Sequence, residues 1–367
     1  MRSDFSVLQD KKAVLDDWRR LYAQSDARFF LSPAWIDALV VSAPAGKKFA
    51  VVRIHDDLRG LYAMAVANVP SPQPFPFVRS ARLQESGVEA LDRVYLEYND
   101  ILVTRSAPDG ARDAAVGALL DGMASADQFI FKNADPLLAS SVLRAAAARD
   151  FAVEEQNLQP TFAIDLEKID GDSVLASFSS SLRAKIRRSI KRYEERGPVA
   201  VTRPKGPAEI AIAWTELMRL HAQTWSRRGK RGVFHERAFC QFHERLIEKN
   251  PDNIDFVRLT AGAETIGVLY NFVERGRVYN YQSGFKYESD NQLAPGFVCH
   301  ALAADEYRAS GFSIYDMMGG DADYKRRLGS ESGTLTTIVV TKRNLRTRIR
   351  SAMKSARNAR DAKTHQT

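Results

Sequence analysis

The stretch from Gly262 to Lys325 leaves the fewest choices of fold. It runs GAETIGVLYNFVERGRVYNYQSGF, KYESDNQLAPGF, VCHALAADEYRASG and FSIYDMMGGDADYK in succession. Two β-rich runs flank Glu274-Arg275-Gly276-Arg277, a short turn whose glycine takes a positive φ cheaply, so this reads as a β-hairpin. A Pro-Gly loop follows, then a helix with Phe297, Ala301, Ala304 and Tyr307 on one face and Gly311 as its stop. A strand and a second Gly/Asp-rich loop close the stretch. A strand that opens through a glycine loop into a helix N-terminus presents unpaired backbone N–H groups, a natural seat for an anion.

Around this stretch the chain alternates helix and strand. Residues 8–22 read as a helix with Val14, Trp18 and Leu21 on one face, and Ser32-Pro33 as the N-cap and first position of a second helix. Strands are expected over 49–54 and 61–69, within 95–104, and over 128–131 and 162–166. Helices are expected over 109–124, 137–148, 174–196, 210–226 and 235–248. The Pro70–Pro76 run cannot be central sheet, because each proline lacks a ladder donor. A strand over 254–260 leads into the opening stretch, and 334–341 reads as a closing strand. Both halves share a coarse pattern of helices, a hairpin and then alternating helix and strand, which suggests a duplicated α/β unit.

With 367 residues, 45% of them apolar, the chain has room for two globular domains. No apolar run approaches the ~20 residues of a membrane span. The N-terminal MRSDFSVLQDKK lacks the apolar core of a signal peptide, and a cytoplasmic location is expected. Two cysteines, Cys240 and Cys299, fit a reducing compartment and argue against a disulfide framework. The net charge of +8 is concentrated: residues 342–367 carry nine Lys/Arg against one Asp, a surplus of 9 − 1 = 8. The rest is close to neutral, which excludes a uniformly basic nucleic-acid binder. The other basic concentration is 183–192, with six Lys/Arg and no acid. Leu182, Ile186, Ile190 and Tyr193 give that helix a buried face; its cations form a solvated face or, since six like charges repel each other, the seat of an anionic partner that carries phosphates. In the tail, Leu345, Ile349 and Met353 recur among cations. That pattern fits a helix lying at the inner face of an anionic membrane, or equally a disordered solubilising tail.

The order of five marks resembles a known family: SLRAKIRRSIKRYEERG, LHAQTWSRRGKRGVF, IGVLYNFVERGRVYNYQSGF, LAPGF at a helix start, and GFSIYDMMGGDADYKRRLG. They resemble the acyltransferases of GNAT fold, in the FemAB-like and CelD-like branch associated with cellulose and exopolysaccharide biosynthesis. FFLSPAWIDAL and YLEYNDILV resemble that family's N-terminal half more loosely. The resemblance implies an α/β (α+β) chain of tandem GNAT-like domains, each a mixed, mostly antiparallel sheet flanked by helices. These would span 1–160 and 161–341, followed by the basic tail 342–367. It implies N-acyl transfer from acyl-CoA or acetyl-CoA to an amine on an amino sugar, an amino acid or an envelope or polysaccharide precursor. FemAB relatives take the acyl group from aminoacyl-tRNA, so tRNA is the donor under that alternative. A non-catalytic binding component of an envelope assembly is the third reading. The loop Gln292–Phe297 departs from the GNAT pattern, having one glycine and a proline where the family has two spaced glycines.

Candidate residues follow. Gln292, Pro295, Gly296 and Phe297 would hold a phosphate or carbonyl at the helix N-terminus, with Tyr279 on the strand along which the donor lies; the plain alternative is a loop-to-helix junction. Asp316 ends a strand and would act as general base or orient the amine. Lys325 would stabilise an oxyanion or phosphate, and Tyr281 would protonate the leaving thiolate; packing tyrosines and a salt-bridged turn are the alternatives. His221 and Trp225 share a helix face and, with Arg228, Asp321 and Tyr324, would line the acceptor pocket; a core Trp with a neighbouring His is as good a reading. No metal is expected, since the Asp spacing does not match a calcium loop.

Overall fold

Ser32 accepts from the Trp35 amide at 3.2 Å ahead of Pro33, the cap that the sequence suggests. Asp10, inside the helix expected over 8–22, instead caps its start by accepting from the Ala13 amide. The computed structural model describes residues 1–58 and 60–364. Two units result: one of residues 1–158 with those from 335 on, the other of residues 159–334. The last three residues of the expected tail lie outside the described residues.

The first unit holds β1 (Arg2–Val7), α1 (Lys11–Ala23), α2 (Pro33–Ser42), β2 (Phe49–His55), β3 (Leu61–Asn68), β4 (Ser80–Arg82), β5 (Leu102–Val103), α3 (Ala111–Gly122), β6 (Gln128–Ala134), α4 (Pro136–Ala147) and the start of β7 (Ala152–Asp165). β1, β2, β3 and β5 form an antiparallel sheet, and β4 runs parallel to β6. Its core gathers Leu119, Leu120, Phe129, Phe131 and Val142.

The second unit continues with α5 (Ser180–Glu194), β8 (Val199–Thr202), α6 (Pro207–Ser226), α7 (Arg237–Lys249), β9 (Ile254–Ala261), β10 (Glu264–Glu274), β11 (Arg277–Phe285), α8 (Pro295–Ala309), β12 (Ile314–Gly319) and α9 (Asp323–Leu328). Then β13 (Ser330–Thr341) carries the chain back to the first unit, and α10 (Leu345–Thr364) follows. The strand order is β7-β12-β11-β10-β9-β8, antiparallel except for the β11/β12 pair. Arg275 at φ +49° and Gly276 at φ +74° form the two-residue turn of the β10–β11 hairpin, both in the left-handed region that such turns use. The parallel pair needs a crossover, which α8 supplies.

This is the mixed α/β architecture the sequence leads one to expect, with four differences. The closing strand does not belong to the second unit: from Thr336 to Thr341 it pairs with β6, and Ile338 and Val340 join the first unit's core. The expected helix 174–196 is broken. Ser173 caps a short 3-10 turn, Val174–Ser177, and Ser179 starts α5 afresh by accepting from the Leu182 amide. β7 is 14 residues long and not five, because its first half is exposed and polar and carries no apolar alternation. β1, nearly all exposed, is silent in the sequence for the same reason.

One glycine fixes how α6 lies on β11. A Cβ on Gly284 would stand 2.8 Å from the Leu217 carbonyl oxygen, 2.9 Å from Leu220 Cβ and 3.1 Å from the His221 nitrogen. Helix backbone cannot give way as a side chain can. Gly284→Ala is therefore expected to destabilise the protein by roughly 1–3 kcal/mol. Urea denaturation reads this as a lower midpoint at unchanged slope.

Candidate active site

The β11/β12 ladder is short. Arg277 pairs with Ile314, Val278 with Tyr315 and Tyr279 with Asp316, and there it ends. β11 continues to Phe285, so its edge from Asn280 onward is open on the β12 side. The register between β10 and β11 also shifts here: Tyr270 opposes Gln282 while Asn271 opposes Asn280. Tyr281 is the extra residue of this bulge, a device that re-aims side chains beside sites. Clefts in α/β folds form at such carboxyl strand ends.

On the α8 side of the sheet the bulge leaves a chain of polar groups. Ser283 Oγ donates to Asn280 Oδ1 at 3.1 Å, Asn280 Nδ2 to Asn271 Oδ1 at 2.9 Å, and Asn271 Nδ2 to the Tyr307 hydroxyl at 2.8 Å. Asn271 and Tyr307 are fully buried. The sequence reading missed this chain. Its signal was two asparagines, a residue type depleted in strands, each within the apolar and aromatic stretch of a strand. Beside it, His300 Nδ1 lies 2.9 Å from the Tyr315 hydroxyl, and the His300 ring stacks on Tyr324 at 5.4 Å. Burial, with the Lys325 charge adding to it, pushes the His300 imidazole down to about 3.

The start of α8 stands at the end of β11. Pro295 takes the first helical position, and Ser189 of α5 accepts the Ala294 amide at 3.0 Å. The Gly296 and Phe297 amides donate to nothing among the described residues. Phe297 is flanked by cations from two helices, with Lys185 Nζ at 5.2 Å and the Arg327 guanidinium at 4.9 Å from its ring centre. Unfilled helix N-terminal amides with two cations close by make an anion seat. Gly296 itself is not sterically demanded, since a Cβ there would meet Phe285 and the Tyr287 hydroxyl at ordinary distances of 3.5 Å. Gln292 is exposed, its amide turned back onto Asp290 Oδ1.

The remaining candidates divide. Tyr279, Tyr281, His221, Trp225 and Arg228 lie on the α6–α7 side. Tyr281 is packed among Phe272 (4.6 Å between ring centres), His243 (4.9 Å) and Tyr270 (5.9 Å). His221 is 4% exposed, edge-on to Phe234 at 4.7 Å, and its Nδ1 has no hydrogen-bond partner. Burial lowers it to about 4. Trp225 is half-buried under Arg228 and Lys230. At the strand end Thr224 reaches the Phe285 carbonyl and Arg227 the Tyr287 carbonyl.

The expectation that Asp316 faces an incoming amine does not fit its surroundings. It is 0% exposed on the α6–α7 side; Oδ2 accepts from Arg277 at 3.0 Å and Oδ1 from the Met318 amide at 2.7 Å. Met318 has φ +65°, so this carboxylate fastens a turn in the left-handed region. Lys325 is likewise turned inward, donating to the Met318 and Gly319 carbonyls. Asp321 is exposed and paired with Arg326 at 2.6 Å. Among the described residues no cluster of three or more His, Cys, Asp or Glu stands ready for a metal ion. No described helix is long and apolar enough to cross a membrane.

Residues 180–326 match the sequence profile of the acetyltransferase (GNAT) domain. No curated protein matches the chain in sequence. Among solved structures, FemX superposes with a TM-score of 0.56 at 12% identity, over 90% of this chain and 96% of that one. A tandem GNAT protein from the clavulanic acid biosynthesis pathway gives 0.51 at 12% identity, over 93% and 98%. L-PGS from Bacillus licheniformis gives 0.51 at 9% identity, over 90% and 92%. Residues 180–326 thus resemble a GNAT domain, and the chain has a GNAT-like fold similar to that of tandem proteins.

Proposed function

We propose that the second unit is an N-acyltransferase that moves an acyl group from acyl-CoA to the amine of an amino sugar, amino acid or envelope precursor, within the FemAB-like branch. The observation that carries this is the coincidence of an open β11 edge with an anion seat at its end. Gly296, Phe297, Lys185 and Arg327 would take the donor's phosphates, and the edge from Asn280 to Gly284 would take its extended arm as an added strand. The donor supplies a thioester: a C–N bond forms, the C–S bond breaks, the amine gives up a proton and the leaving sulfur takes one.

This chain's residues would serve that exchange as follows. Ser283 and Asn280, at the edge and tied into the buried chain to Tyr307, are preorganised polar groups beside the reacting carbonyl. Tyr281, placed by the bulge at the end of the ladder, is the candidate proton donor to sulfur. His221 and Trp225 border the acceptor side. Asp316 and Lys325 are positioning residues, which hold the 316–320 turn that limits the ladder.

Binding decides between donors. At 100 times its dissociation constant, a true donor should stabilise the fold by about 2.7 kcal/mol. A thermal-shift screen would compare coenzyme A, acetyl-CoA, longer acyl-CoAs and tRNA. The expected result is a raised midpoint with a coenzyme A thioester, and affinity roughly tenfold weaker in Lys185→Ala and in Arg327→Ala. If no coenzyme A compound moves the midpoint, the donor assignment is lost. The second reading, aminoacyl-tRNA as donor, is favoured by Arg187, Arg188 and Lys191 of α5, which form no ion pair among the described residues. It predicts tRNA binding that falls steeply with salt.

A further inference from the structure

The first unit contains a cavity that the transferase reading does not use. It measures about 520 Å³, within the range of small-molecule sites. Gln128 and Ile130 of β6, Val339 and Thr341 of β13, and the first residues of β7 floor it, and the root of α10 roofs it. Arg343, Arg348 and Arg350 line it against a single acid, Glu154. Arg343 holds a loose, exposed pair with Asp150 at 3.5 Å. The guanidinium groups of Arg348 and Arg350 have no ion-pair or hydrogen-bond partner among the described residues. Two arginines left unpaired at one cavity mouth repel each other until an anion arrives.

The outer side of α10 says where that anion comes from. Thr347 is buried against the protein, so positions on the opposite side of the helix face away from it. Those positions are Leu345, Ile349 and Met353; Leu345 is 65% and Met353 61% exposed, and Ile349 between them is half-buried. The flanks of this apolar stripe are Arg348 on one side and Arg346 and Arg350 on the other, at 100° per residue. Arg346 Nη1 donates to the carbonyls of Gln73, Pro74 and Phe77 and so clasps the proline-rich loop beside the stripe. That loop shows two more large apolar side chains to solvent, Phe75 at 54% and Phe77 at 63%, and its next residue, Val78, is in the cavity wall. An apolar stripe with exposed ends, exposed aromatic rings and flanking arginines are what an interfacial helix presents to lipid.

We infer that the root of α10 and the Pro70–Val78 loop form a docking surface for an anionic membrane. Leu345, Met353, Phe75 and Phe77 enter the headgroup layer, and the cavity between Arg343, Arg348 and Arg350 takes a lipid phosphate. The surface is separate from the proposed acyl-transfer site, so neither inference depends on the other.

The test uses the full chain and sedimentation with vesicles of phosphatidylcholine alone or mixed with phosphatidylglycerol. Binding is expected only to the mixed vesicles and to weaken with salt. Arg348→Gln/Arg350→Gln should lower partition about thirtyfold, at about fivefold per cation. Phe75→Ser/Phe77→Ser should lower it with all charges retained. Each variant's far-ultraviolet spectrum and thermal midpoint confirm folding. To place the phosphate, dihexanoyl phosphatidylglycerol below its micelle concentration should raise the wild-type midpoint but not that of Arg348→Gln/Arg350→Gln. No binding to mixed vesicles, equal binding to neutral ones, or no loss in the arginine variant overturns the inference. Protection by inorganic phosphate without vesicle binding overturns it in favour of a soluble anion.

Discussion

Acidification from pH 7.5 to 5.0 is expected to lower the stability of the second unit by about 6 kcal/mol, through three histidines held neutral in its interior. His221, His243 and His300 are all buried, and burial lowers them to about 4, about 3 and about 3. In the unfolded chain each titrates near 6.5. A group whose folded value is depressed contributes stability that is whole above its unfolded value and is lost as pH falls towards its folded value. From pH 7.5 to 5.0 the unfolded chain takes up nearly one proton per histidine and the folded one almost none, which amounts to about 2 kcal/mol each. The paired carboxylates of this unit do not blur the window. Glu216 and Glu264 are lowered from an ordinary value of 4.5, so their contribution is lost only below it. Hydrogen exchange over residues 264–285, repeated at half-unit steps of pH, reads the effect locally. His300→Asn and His243→Phe should each remove about a third of the slope. Stability that stayed flat from pH 7 to 5 would mean that these rings take up protons in the fold as readily as in the unfolded chain, and the buried assignments would be wrong.

The same burial explains what could be read in advance. The hairpin, the α8 crossover and β12 were legible because Ile266, Val268, Leu269, Val278 and Val298 make continuous apolar runs at strand or helix spacing, and Gly276 and Gly311 punctuate them. Strand halves that face solvent, such as β1 and the first residues of β7, carry no such contrast. Partner choice was not legible at all. Nothing in the spelling of 334–341 tells whether its Ile338 and Val340 lie against β6 or against the second unit, because any apolar face accepts a β-branched strand. For the proposed site, sequence spacing singled out Pro295–Phe297 but gave no sight of Lys185 and Arg327, which come to Phe297 from helices more than a hundred residues before and about thirty after it in the chain. It also weighed Asp316, Tyr281 and His221 by chemical type alone. Type does not show that one carboxylate is closed off by Arg277, nor that Tyr281 is packed among Phe272, His243 and Tyr270 at a β-bulge.

Asp316→Asn is expected to destabilise the fold by about 3 kcal/mol, and Asp316→Ala by about 3–5 kcal/mol. The carboxylate has no exposure, and its two oxygens accept from the Arg277 guanidinium and from the amide of Met318 in its left-handed turn. In the asparagine variant one oxygen can still take the Met318 amide, but the amide nitrogen then faces Arg277 donor to donor. In the alanine variant both donors lose their acceptor, and a partly buried cation stays behind. The turn should loosen first, and with it the carbonyls of Met318 and Gly319 that hold Lys325. Activity should fall with the folded fraction and with the shape of the strand end, while the pH dependence of kcat/KM keeps its form, because no titrating base has been removed. A general base would give the opposite pattern: a loss of about 10²–10⁴ in rate at nearly unchanged stability and loss of the basic limb of the profile. A double-mutant cycle with Arg277→Met separates the pair from the turn. If the ion pair carries most of the loss, the single-variant losses should exceed the double-variant loss by roughly 1–3 kcal/mol. Strict additivity would leave the Met318 cap as the reason this carboxylate is there.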